Sequence, residues 1–134
     1  MIRWLLALTA GIGLSGMPAT AHHSLADYDT SRLATLDGVV ADFQFVNPHP
    51  FIVLDVKDRN GAVQRWRVEM DNRHEMSDIG MTNETFKSGD RLVVLGSPGH
   101  TQPGILYIRK LARPADGYAF EQVGSRPRLS NRPR

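Results

Sequence analysis

Residues 51–70 read FIVLDVKDRNGAVQRWRVEM, and the fold turns on this stretch. Ile52, Leu54 and Val56 alternate with Val53, Asp55 and Lys57; further on, Trp66, Val68 and Met70 alternate with Arg65, Arg67 and Glu69. A period of two sends one set of side chains to a buried face and the other toward solvent, the mark of a half-buried strand. Asp58-Arg59-Asn60-Gly61 lies between the two runs, and an Asn-Gly pair tolerates the positive φ that tight hairpins require. The stretch therefore predicts an antiparallel hairpin.

Toward the N-terminus, Val39, Ala41, Phe43 and Phe45 alternate with Val40, Asp42 and Gln44, giving a long first strand with one buried face. Asn47-Pro48-His49-Pro50 separates it from the hairpin, since proline cannot donate to a ladder and restricts the residue before it. Toward the C-terminus the period changes between residues 71 and 88. Thr82 with Glu84 and Thr85 reads as a helix start, Phe86 as its apolar anchor, and Ser88-Gly89-Asp90 as its stop, while an earlier helical turn over Glu75–Met81 is left open. Residues 91–96 and 104–111 give two more strands, joined by the turn-rich residues 97–103. Three strands, a short helix and two strands follow the order of the OB-fold. The expectation is a mainly β domain: a five-stranded OB-like partly open barrel with one short helix between strands 3 and 4. An open sheet packed by one helix is the competing arrangement. Closure is favoured because a first strand bent near Gly38 can pair with both sheets and hide their edges.

The ends of the chain are read differently. Residues 1–21 have the form of a signal peptide: Arg3, an apolar run of 11 residues from Trp4 to Leu14, then Ala19-Thr20-Ala21. That run is about half the roughly 20 residues a spanning helix needs. Cleavage after Ala21 would send the chain to the periplasm or outside the cell, with no stable membrane anchor. Residues 22–34 are expected to form an N-terminal arm, 35–113 the OB-like β domain, and 114–134 a disordered Arg/Pro-rich tail.

Composition excludes several functions. There is no cysteine, so thiol catalysis and cysteine metal sites are out, and stability must come from packing or a ligand. Any transition-metal site must use histidine, carboxylate, methionine or the N-terminal amine. Residues 22–125 hold 11 Lys and Arg against 14 Asp and Glu, a balance of −3, while the last nine residues hold four arginines and no acid. The folded part is mildly acidic, and no nucleic-acid partner is expected, because a basic footprint belongs on the domain itself.

The histidines carry what chemistry there is. After cleavage, His22 would offer its amine and an imidazole nitrogen in one chelate ring, a tetragonal nitrogen set that suits copper(II). His23 adjoins it, and His49 in the Asn-Pro-His-Pro turn is the natural third ligand, since flanking prolines reduce the entropy lost on fixing it. Glu69 and Asn47 are the groups expected to orient the ligating rings. The plainer account makes His22 and His23 part of a flexible arm, has His49 bond the backbone, and pairs Glu69 with Arg65 or Arg67. His74, beside Asp71 and Glu75, reads as a surface ion-pair member, and His100 as solvated. Met70, Met76 and Met81 are spaced too irregularly for copper(I) and read as packing. Asp27 and Asp29 read as exposed, with nothing to raise a pKa. Most of Phe43, Phe45, Phe51 and Trp66 are placed in the core rather than on a stacking platform. Nucleophile-elbow, phosphate-loop and dinucleotide fingerprints are absent from the sequence, so no enzymatic activity is expected.

Ala21-His22-His23-Ser24, Tyr28-Asp29, Asn47-Pro48-His49, Trp66-x-Val68-Glu69 and Lys87-x-Gly89-Asp90, in that order, resemble a family of small exported bacterial proteins classed as a domain of unknown function. The resemblance spans residues 22–111. It implies an exported β-rich domain and assigns no chemistry. His22, His23 and His49 fall on shared positions; His74, His100 and the arginine-rich tail do not. The leading expectation is a periplasmic binding module that holds copper or a similar transition metal through His22, His23 and His49. The alternative is a metal-independent accessory protein that binds a partner protein or peptide in the OB-like groove. A copper-dependent oxidative enzyme ranks below both, because no substrate platform is visible.

Overall fold

The computed structural model describes residues 25–124 and 126–131. The signal peptide expected at 1–21, with His22 and His23, lies outside the described residues. A 3-10 turn at Leu25–Asp27 precedes β1 (Ala34–Gln44), β2 (Phe51–Lys57) and β3 (Val63–Glu69). After α1 (Arg73–Asp78) come β4 (Arg91–Pro98), β5 (Ile105–Arg113), β6 (Tyr118–Val123) and β7 (Arg126–Asn131). The sheet runs β3-β2-β1-β4-β5-β6-β7. A parallel pairing from Arg67 opposite Ile105 to Glu69 opposite Tyr107 closes the first five strands into a barrel. The five-stranded OB-like barrel, with its one short helix between strands 3 and 4, is the architecture found.

β1 holds the closure together as expected. Gly38 lies opposite Val56 of β2 on one side and Leu92 of β4 on the other. A Cβ at Gly38 would stand 2.7 Å from the Asp55 carbonyl oxygen, so a side chain would push the crossing strands apart. Gly96 plays the same part where β4 meets β5, against the Tyr107 carbonyl oxygen.

Three local expectations are corrected. The β1 face expected to be buried does not stay so along the strand: Leu36 and Val40 point inward, while Val39 is exposed. The register skips Ala41 between the pairs Val40–Leu54 and Asp42–Val53, and this bulge reverses the alternation so that Phe43 packs against the core. The helix lies at 73–78, overlapping the earlier turn left open over Glu75–Met81, and not after Thr82. Asn72 Oδ1 accepts from Glu75 N at 2.9 Å and caps it. Thr82 instead bonds locally, its N–H donating to Thr85 Oγ1 at 2.8 Å and its hydroxyl accepting from Glu84 N at 3.2 Å, which yields turns. Phe86 is nonetheless a buried anchor. Finally, the tail expected to be disordered from residue 114 forms the β6–β7 hairpin. Tyr118 and Phe120 alternate inward and join the core, and Leu129 of β7 packs on it.

The core fills the barrel and its open end with Ile52, Leu54, Val68, Leu92, Leu106 and Ile108, all buried. Met70, Met76 and Met81 are buried with them, so the methionines serve packing as read from their spacing.

Candidate functional site

His49 reaches the end of the barrel on the turn between β1 and β2. The turn is laced to the β3–α1 junction by Met70 N donating to the Pro50 carbonyl and Arg73 N donating to the Pro48 carbonyl, each at 2.9 Å. The Asn47–Pro48 peptide is cis. The His49 ring is 7% exposed, and its Nδ1 lies 2.8 Å from the Met70 carbonyl oxygen. A carbonyl only accepts, so in the neutral ring Nδ1 carries the hydrogen and the lone pair sits on Nε2. This is the tautomer a metal-ligating histidine takes when its second nitrogen is held by the backbone.

The orienting group is therefore not Glu69. Its Oε1 is 3.8 Å from His49 Nδ1, beyond hydrogen-bond range. Nor is it Asn47, which is exposed while backbone groups hold the turn. Glu69 instead accepts from the Tyr28 hydroxyl at 3.0 Å through Oε2, with Arg67 Nε 3.9 Å away. The carboxylate thus ties the arm to the barrel beside the histidine turn.

Tyr28 is what seats the arm. Asp29 N donates to the Pro98 carbonyl at 2.8 Å, His100 N donates to the Asp27 carbonyl at 2.9 Å, and Tyr28 bridges to Gly99. The arm therefore lies along the β4–β5 loop, one of the two loops that flank the ligand cleft of OB-folds; the histidine turn is the other. The Tyr28 ring packs on Tyr107 with centroids 5.5 Å apart. Burial, then the charge and hydrogen bond of Glu69, push the Tyr28 hydroxyl well above its usual pKa. Tyr107 is raised in the same way, by burial and then by Asp71, which also accepts from Gln122 Nε2 at 3.1 Å. Two tyrosine–carboxylate pairs thus stand side by side on the outer surface of the β3–β5 seam. Both acids come from β3 and its continuation, and flank Met70, whose carbonyl takes His49.

The remaining candidates are dispersed. His74 is exposed on α1, 3.7 Å from Asp78 Oδ2, so its partner is Asp78 rather than Asp71 or Glu75. His100 is exposed in the β4–β5 loop. Asp29 is held below the usual carboxylate range, first by the Ser31 hydroxyl. Phe43, Phe45 and Trp66 lean into the core. Phe51 faces outward under the Arg67 guanidinium, 3.6 Å from the ring centroid. Among the described residues no three histidine, aspartate or glutamate side chains converge as a metal-binding group. Tyr28, Tyr107 and Asp71 escape a reading by chemistry, because each gains its role from a partner distant in sequence. The Tyr28-Asp29 pair that recurs in the resemblance is the one signal that points to the arm.

The sequence profile of a family of unknown function, DUF6152, matches residues 11–105. No curated protein matches the chain. Among solved structures the chain is similar to the mitochondrial single-stranded DNA-binding protein Rim1 from S. cerevisiae. The identity is 12%, over 66% of this chain and 95% of that one, with a TM-score of 0.48. A likeness that distant adds nothing to the barrel already described.

Proposed function

The chain belongs to this family of unknown function, and on that premise we propose that it is an exported, non-enzymatic periplasmic module that binds copper or a similar transition metal. His49 Nε2 would be one ligand. His22, with its freed amine, and His23 would supply the others once cleavage after Ala21 makes His22 the first residue. The observation that carries the reading is the 2.8 Å contact of His49 Nδ1 with the Met70 carbonyl, which in the neutral ring puts the lone pair on Nε2, the form a metal-ligating histidine takes. The Tyr28–Glu69 bond supports it, because it docks the arm beside His49.

Copper(II) titration of the processed chain, followed by calorimetry and EPR, tests this reading. Nitrogen-ligated copper is expected, with binding at least tenfold weaker in His49→Ala and weaker again when a residue precedes His22. Equal affinity in a folded His49→Ala variant would overturn it. One observation favours the metal-independent alternative: the Arg67–Phe51 stack presents an exposed guanidinium on the outer β2–β3 face, a feature suited to a peptide or protein partner in the OB-like groove. Partner recovery that depends on Arg67 and Phe51 and ignores copper would decide for it.

A further inference from the structure

We propose that the outer face of β4–β7 binds an anionic phospholipid presented by a membrane. Val93, Leu95, Ala112 and Ala119 line an open groove of about 420 Å³, with Lys110 and Glu121 at its rim. That size suits part of one acyl chain. Arg126, Arg128 and Ser130 are exposed and alternate with half-buried Pro127 and Leu129; Leu129 packs on the core, so both arginines share the groove's face of β7. Glu121 is shared by two cations: Arg128 Nη2 at 2.6 Å and Lys110 Nζ at 2.9 Å. One carboxylate cannot neutralise both, and no acid follows it in the sequence, whereas Arg126, Arg132 and Arg134 add further positive charge.

Charge complementarity therefore calls for an anion, and the aliphatic groove beside it calls for an apolar tail. An anionic phospholipid supplies both, its headgroup against Arg126 and Arg128 and its upper acyl chain against Val93, Leu95, Ala112 and Ala119. A nucleic acid fits less well, since the described lining offers no exposed aromatic ring for base stacking.

Flotation of the processed protein with vesicles tests the proposal, using phosphatidylcholine containing phosphatidylglycerol and phosphatidylcholine alone. Binding is expected to the phosphatidylglycerol vesicles only, and to weaken with salt. The double variant Arg126→Gln with Arg128→Gln should bind about 25-fold more weakly, at about fivefold per arginine near an anionic surface. Ala112→Glu places a charge at an exposed groove position and should cost at least tenfold while the barrel stays folded. No binding to the anionic vesicles would overturn the proposal. So would wild-type binding by either variant, or binding of a polyanionic oligonucleotide that Ala112→Glu leaves unchanged.

Discussion

Tyr28→Phe deletes one hydroxyl and keeps the ring on Tyr107, so it isolates the bond that anchors the arm. That hydroxyl donates to Glu69 Oε2 at 3.0 Å, and the Glu69 side chain is 21% exposed. A hydrogen bond to a charged acceptor contributes about 1.5–3 kcal/mol, and partial exposure favours the lower end, about 1.5–2 kcal/mol. For a domain of this size each kcal/mol moves Tm by roughly 4–8 °C, so a fall of at least roughly 6 °C is expected. Urea unfolding followed by Trp66 fluorescence measures the loss. A double-mutant cycle with Glu69→Ala should return a coupling of about 1 kcal/mol or more. The pH dependence adds an independent check. Folding raises the Tyr28 pKa above its ordinary 10.0, so its stabilisation is complete below pH 10 and is lost as pH rises through the folded value. Tyr28→Phe should remove that share of the alkaline loss and leave the part due to Tyr107. A change within about 0.3 kcal/mol, together with strict additivity in the cycle, would refute the reasoning.

Further outcomes follow from the same structure. Phe120→Ala, in the segment expected to be disordered, should cost about 3–5 kcal/mol in urea unfolding, because the ring is 1% exposed within the core. Asn72→Ala should cost about 0.5–2 kcal/mol through loss of the α1 cap, and Asn72→Asp should restore most of it. Arg91, Arg65, Arg113 and Arg128 hold Asp37, Asp55, Asp116 and Glu121 below their ordinary values. These acids stabilise the fold above their unfolded pKa values of 3.8 and 4.5, so thermal scans should show Tm falling as pH drops below that range.

The β2–β3 hairpin was legible because both runs keep strict alternation and a turn signal separates them. Register bears this out: Ile52 opposes Val68 and Leu54 opposes Trp66, all on the inner face. The helix was misplaced because Thr82-x-Glu84-Thr85 resembles a cap as well as Asn72-x-x-Glu75 does. Only contacts tell them apart: the Arg73–Pro48 bond and the burial of Met76 make 73–78 the turn that docks. The β6–β7 hairpin was hidden by composition, since arginine and proline mask the alternation of Tyr118, Phe120 and Gln122 after the Asp116-Gly117 turn.

The candidate site divides along the same line. Sequence alone determined that His49 sits in a proline-held turn and that cysteine chemistry is excluded. These follow from local covalent properties: the fixed φ of proline and the absence of a thiol. Which atom orients His49, and what fastens the arm, were decided only in three dimensions. Met70 is 21 positions from His49, and Glu69 is 41 from Tyr28. Met70 meets His49 because the β2–β3 register ends with Met70 bonded to Pro50. Tyr28 meets Glu69 because the parallel β3–β5 seam sets Glu69 opposite Tyr107, on which Tyr28 packs, and that seam leaves no period in the chain.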